Sequence, residues 1–228
     1  MRFLLPAAGP FILLCWVMAA VAGTAPHAVL LEQDAFETIR FNGIPPSRYR
    51  FEQGQLIAEV DNSASFLMQA FDTVKRVTAV SFRWQKQGTL RVRDAVHESR
   101  RDGDDALFRL GLLLKGEAED LPGPFVPKWL QRVRSLLHFP SESMLYLLPG
   151  ARHAAGERWP SPYNARVTMV AMASQADAAG WQLARYRLPQ AAEVVAIWLM
   201  ADGDSTASRF TTRVKDIVLE VQPGAAVP

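Results

Sequence analysis

One cysteine stands among 228 residues, Cys15, and it falls within the first 22. With that stretch removed the chain can form no disulfide, so it must hold its fold by burying apolar surface alone. Histidine is almost as scarce. His27, His97, His138 and His153 are the four, and none sits at a ligand spacing such as His-x-x-x-His. With no thiolate to help, that argues against a zinc site. There is no Gly-x-Ser-x-Gly elbow and no phosphate-binding loop, which removes support for hydrolases and nucleotide enzymes of those types. Charge of one sign is also missing: 25 Lys and Arg balance 23 Asp and Glu. That balance gives no electrostatic drive toward nucleic acid or an acidic polymer. Past the N-terminus no apolar run approaches the roughly 18 residues of a membrane span. Internal repeats and low-complexity segments are absent too.

The first 22 residues have the make-up of an export signal. Arg2 supplies the positive start, and residues 3–19 are apolar except at Pro6, Gly9 and Pro10. Ala20-Val21-Ala22 then gives the small-x-small pattern before a cleavage point. The dense apolar part, residues 11–21, has about 11 residues, too few to cross a hydrocarbon core of ~30 Å as a helix. Leu14, before Cys15, is too large for a lipid-anchoring signal. Cleavage after Ala22 is therefore expected, in a chain destined for the periplasm or for secretion. The remaining 23–228, about 206 residues, suit one domain.

Beyond residue 22, apolar residues alternate with period two in short runs broken by turn residues, the mark of strands. Strands are expected at 36–41, 49–52, 55–61, 64–71, 79–85, 106–115, 144–148, 166–173, 181–187, 194–200 and 211–221. Residues 90–92 are a further short candidate, and Gln53-Gly54 is a hairpin turn. Segment 106–115 is apolar almost throughout, as a central strand covered on both faces would be. So many strands without interleaved helices predict an all-β fold, an antiparallel β-sandwich of jelly-roll or carbohydrate-binding-module type.

One segment departs from that period. Across residues 125–139, Phe125, Val126, Trp129, Leu130, Val133, Leu136, Leu137 and Phe139 recur at helical offsets on one face. Pro124 and Pro127 suit its start and Pro140 its end. Such a helix either docks on the sandwich by its apolar face or lies at the surface, its basic rim against a membrane or a partner protein. In the second case Trp129, Arg132 and Arg134 make the contact.

The most suggestive chemistry is acidic. Asp102-Gly103-Asp104-Asp105 precedes the apolar segment 106–115, and Asp202-Gly203-Asp204 follows the apolar segment 194–200. Carboxylates around a glycine can cluster their oxygens as a hard cation requires, so a structural calcium on Asp104, Asp202 and Asp204 is the one cofactor the pattern leaves room for. Neither run completes a twelve-position calcium loop, and Asp and Gly are also the ordinary residues of turns. If 106–115 and 194–200 are adjacent antiparallel central strands, the two turns meet at one sheet edge. Carboxylates brought that close need a cation, an arginine or a shared proton. Arg109 is nearest in sequence, with Arg83 and Arg185 also available. Among the aromatics, Trp84 and Trp198 lie in alternating strands and are expected in the core. Trp159 and Tyr163, in Trp159-Pro160-Ser161-Pro162-Tyr163-Asn164, are expected to be exposed and able to stack on a sugar ring.

These residues carry a resemblance. Phe82-Arg83-Trp84, Gly103-Asp104-Asp105 running into Phe108-Arg109-Leu110, Trp181 with Arg185, residues 197–206 and Lys215-Asp216-Ile217 are similar to an uncharacterised family of exported bacterial proteins, a domain of unknown function. The likeness spans roughly residues 36–221. Two departures stand out: the helix at 125–139 replaces the family's usual middle segment, and its Thr-Asp-x-Asp reads Ala201-Asp202-Gly203-Asp204. The resemblance implies a sandwich fold and a periplasmic setting, and no reaction. The function expected is that of an exported soluble binding or interaction protein of the cell envelope, with a glycan or another envelope protein as partner. The alternatives are a polysaccharide hydrolase or lyase acting through Asp104, Asp105, Asp202 or Asp204, and an accessory subunit of an exported complex that binds through the helix face.

Overall fold

The computed structural model describes residues 23–117 and 126–223. The expected export signal and Phe125, the first residue of the expected helix, lie outside them. The strands are β1 (Ala25–Ala28), β2 (Glu37–Arg40), β3 (Arg48–Glu52), β4 (Gln55–Asp61), β5 (Ser65–Thr89), β6 (Ala106–Lys115), β7 (Ser141–Pro149), β8 (Arg158–Pro160), β9 (Val167–Ala176), β10 (Gln182–Asp202) and β11 (Arg209–Gln222). A one-turn helix α1 (Ala95–Glu98) precedes β6, and α2 (Lys128–Leu136) lies between β6 and β7. The chain is all-β, with the order β3-β4-β11-β5-β10-β6-β7-β9-β8 across one sheet, β1 on β11 and β2 on β5.

Two strands are far longer than expected. At about 3.3 Å per residue, a straight β5 would outreach any compact chain of this size. Instead β5 and β10 bend and pass from one layer of a sandwich to the other. Leu67 and Phe71 from the first half of β5 share a core with Val80, Phe82 and Trp84 from its second half. Phe82 meets Phe108 of β6 edge-on at 5.3 Å, and the Thr212 hydroxyl on β11 donates across the sandwich to the Leu107 carbonyl at 2.8 Å. The bend in β10 falls at a break in register between Arg187 and Ala192. Pro189 lies within it, where a residue without an N–H does no harm to the ladder. Pro189 and the polar Asp72-Thr73 read in sequence as strand ends, which is why two long strands were expected as four.

All neighbours pair antiparallel except β7 and β9, which are parallel. The short β8, absent from the sequence expectation, pairs antiparallel with β9 and lets the chain return in the direction of β7. The β3–β4 hairpin turns through Gln53 and Gly54, both at positive φ (52° and 70°), the backbone of a two-residue primed turn.

One layer carries apolar side chains on both faces. Along β10, Ile197, Leu199 and Ala201 point into the sandwich, while Ala196, Trp198 and Met200 point outward into a second cluster. On β7 the same alternation sends Leu145 and Leu147 inward and Met144, Tyr146 and Leu148 outward. Helix α2 covers that outer face with Val133, Trp129 and Leu136. Trp129 stands edge-on to Phe41 at 5.5 Å and to Trp198 at 6.2 Å. So Trp129 turns toward the sheet, not toward a membrane or partner, because the apolar stripe of α2 has a buried face to meet. Among the described residues no helix is long and apolar enough to cross a membrane.

Candidate functional site

β6 and β10 are adjacent and antiparallel, with Ala106 opposite Asp202, so the turn before β6 and the turn after β10 share one sheet edge. Side-chain alternation puts Arg109 on the outer face, beside Asp202. Arg109 is 3 % exposed. Its Nε donates to Asp202 Oδ1 at 3.0 Å and its Nη2 to Asp202 Oδ2 at 2.6 Å. Nη1 donates to Asp104 Oδ1 at 2.9 Å and Nη2 also to the Asp104 carbonyl at 2.8 Å. The Ala106 N–H donates to Asp202 Oδ1 as well. Planar, forked and always charged, a guanidinium suits two carboxylates in a dry site. Arg83 and Arg185 stand elsewhere: Arg83 lies 3.7 Å from Asp177 and 3.9 Å from Asp216, and Arg185 is exposed.

Asp105 does a different job. Oδ1 accepts from the Ser205 N–H at 3.1 Å, and Oδ2 accepts from the Thr206 N–H and hydroxyl, both at 2.6 Å. It therefore ties the loop after β10 to the turn before β6. The carboxylates whose oxygens converge within 4.8 Å are Asp105, Asp202 and Asp204, not the expected Asp104, Asp202 and Asp204. Asp104 bonds Arg109 through Oδ1 and is not among the three. Two of the converging three each already accept three hydrogen bonds, Asp105 from Ser205 and Thr206 and Asp202 from Arg109 and the Ala106 N–H. Gly103 is required by crowding: a Cβ there would lie 2.2 Å from the His97 carbonyl oxygen.

The environment pushes these groups off their ordinary titration. Burial holds the Asp202 carboxyl well above the usual range, against the pull of Arg109. Asp204, half-buried, is also raised, by desolvation first and then by Asp105. Burial pushes the Tyr146 phenol far up, and the Arg109 guanidinium lies 5.5 Å from its ring centroid.

A cleft of about 1060 Å³ opens over this face. Its floor is the outward side of β6, β10 and β7: Arg109, Leu113, Trp198, Met200, Met144 and Tyr146. Its walls are α2, through Trp129, Val133 and Leu137, and the loop at 161–166, through Tyr163. Asp104, Asp202, Asp204 and Ser205 close one part of it. Trp198 is 4 % exposed, and its buried indole N–H has no acceptor among the described residues. The indole N–H of Trp159, outside the cleft lining, is likewise buried without an acceptor among the described residues, so this feature does not single out the cleft.

The other sequence candidates divide. Tyr163 is exposed at the rim, as expected, its hydroxyl donating to the Arg101 carbonyl at 3.2 Å. Trp159 is not: it is 6 % exposed and stacked on His153 at 3.8 Å. The Pro-rich segment pairs there as β8, with Trp159 opposite Met169, so the ring joins the buried outer cluster. Arg132 pairs with Glu37 at 2.7 Å. Arg134 lines the cleft and has a partner of its own. The sequence did not single out Tyr146, Met144 and Trp198 as the floor of a cleft. Their alternation was visible, but only a helix laid over the outer face turns that alternation into a cleft.

A family profile described as "Protein of unknown function (DUF3047)" matches residues 34–218. Among curated proteins none matches the chain in sequence. Among solved structures, a loop-swap mutant of Necallimastix patriciarum Xyn11A aligns over 86 % of this chain and 95 % of its own, at 9 % identity and a TM-score of 0.29. At that score the likeness carries no argument.

Proposed function

The chain belongs to the DUF3047 family of proteins of unknown function, and from that premise we propose that it is an exported, non-enzymatic protein that binds a small amphipathic molecule in the cleft beneath α2. The observation that carries this is the cleft itself: about 1060 Å³, lined by Trp129, Leu137, Met144, Trp198 and Met200, with polar groups gathered around Asp204 and Ser205. A largely apolar concavity with a few convergent polar groups is the ordinary form of a small-molecule site.

Catalysis by the clustered aspartates is less well supported. Glycoside hydrolysis needs two carboxyl groups free to act on the substrate. Asp104 and Asp202 are fixed to Arg109, and Asp105 is fixed to Ser205 and Thr206, which leaves Asp204 alone. Docking of a large partner has little surface to use. The exposed large hydrophobics among the described residues are Leu30, Val96 and Tyr163, scattered singly. A glycan would lack the stacking face that the sequence suggested at Trp159, which is buried and outside the cleft lining.

The test is uptake of the neutral apolar dye Nile red by chain lacking residues 1–22. Wild type is expected to bind it with a blue-shifted, saturable emission. Leu137→Arg, which puts a charge into the half-buried wall, is expected to lose at least about tenfold in affinity while keeping the β-rich circular dichroism spectrum. Absence of saturable uptake by folded wild type, or equal uptake by Leu137→Arg, would sink the proposal.

A further inference from the structure

Resting on the cleft as the binding site, we propose that its ligand is an amphipathic amine whose ammonium group is held by Asp204. Four carboxylates, Asp104, Asp105, Asp202 and Asp204, gather where the β6 and β10 turns meet, against the one guanidinium of Arg109. Arg109 is fully committed: Nε, Nη1 and Nη2 all donate to Asp104 or Asp202. Asp105 is committed to Ser205 and Thr206. Asp204 is the exception. It is half-buried, it lines the cleft, and among the described residues no cation pairs with it directly.

Arg109 acts on Asp204 only at a distance, and a partly desolvated carboxylate with no cation of its own is costly to keep, a cost that a ligand cation arriving from the cleft removes. A divalent metal ion fits poorly. It needs six or more oxygens, while Asp202 and Asp105 each already accept three hydrogen bonds, one from Arg109 and Ala106, the other from Ser205 and Thr206. An ammonium needs only three acceptors. Asp204 supplies one or two, and the Ser205 hydroxyl and the rim around Tyr163 lie in the same wall. The rest of the cleft takes an apolar body, against Trp129, Trp198, Met200 and Met144. Arg134 and Arg166 also line the cleft, and each has a partner of its own. An acid-headed amphiphile would therefore meet like charge at Asp204 and no idle cation there.

Competition against bound Nile red tests this, with decylamine, sodium decanoate and decanol each kept below its aggregation concentration at neutral pH and low salt. Decylamine is expected to displace the dye at a concentration at least about tenfold lower than decanoate, the size of one charge-assisted hydrogen bond. In Asp204→Asn, with each displacement concentration normalised to that variant's own Nile red affinity, the difference between decylamine and decanoate is expected to disappear. Decanoate matching or outcompeting decylamine would overturn the amine while leaving the cleft intact, as would an unchanged preference in Asp204→Asn. Failure of wild type to take up the dye at all would overturn the cleft, and the amine with it.

Discussion

Removing the Arg109 guanidinium while keeping the bulk of its stem, as in Arg109→Met, leaves Asp104 and Asp202 buried without a counter-charge. Breaking a buried pair from one side costs about 3–5 kcal/mol, and both partners here are under a tenth exposed. Arg109→Met is therefore expected to lower the unfolding free energy by about 3 kcal/mol or more, read from a urea midpoint; a loss below about 1 kcal/mol, the scale of an exposed pair, would contradict that. Because Arg109 already occupies the acidic turns, calcium or a chelator is expected to leave the wild-type melting temperature unchanged, and a calcium-dependent rise of several degrees would show a cation there instead. At Asp204 the sign runs the other way. Its carboxyl titrates above the ordinary range because burial disfavours the charge, so the folded state binds its proton more tightly than the unfolded state. The stability this gives is complete at acid pH and is lost as pH rises through the folded pKa. Asp204→Asn should thus match wild type at acid pH and become the more stable of the two as pH approaches neutrality. A lead that shrinks with rising pH would contradict the raised pKa. A lead that grows toward neutrality marks Asp204 as a position where stability is given up for a ligand.

At the scale of elements, β6 and the outer alternation of β7 and β10 make the floor. Gly111 sits in its middle, where a Cβ would come within 3.0 Å of Met144 Sδ and Trp198 Cβ and within 3.1 Å of Tyr146 Cε1. Gly111→Val therefore overpacks the outer face, with an expected loss of about 1–3 kcal/mol and weakened Nile red uptake; a variant as stable as wild type with unchanged uptake would show that the floor yields freely. Much of this level was legible in the sequence. The apolar run of β6 announced a strand covered on both faces, and the 3.6-residue period of α2 announced a face to bury. The meeting of the two acidic turns followed from placing two apolar strands side by side. What stayed hidden depended on partners distant in the chain. Pro189 reads as a terminus, though a bulge lets β10 continue around it. Trp159 sits among prolines and reads as loop, though pairing with Met169 buries it. Asp104 and Asp105 are neighbours of the same type, and only the position of Arg109 decides which of them joins Asp202 and Asp204.

For the whole molecule, one bent sheet supplies both layers of the sandwich, and α2 adds a third over one outer face. The inner core and the outer cluster are therefore separate apolar compartments, and ligand binding is assigned to the outer one alone. The methionines report on this division. Met144 and Met200 line the cleft, Met68 and Met169 lie in the outer cluster, and Met172 belongs to the inner core. A titration of the carbon-13-methyl-methionine chain with decylamine, followed by nuclear magnetic resonance, reads all of them at once. Saturable shifts of the Met144 and Met200 methyls, with Met172 unmoved, are what binding beneath α2 requires. No saturable shift at any methionine, or shifts at Met172 equal to those at Met144 and Met200, would contradict it.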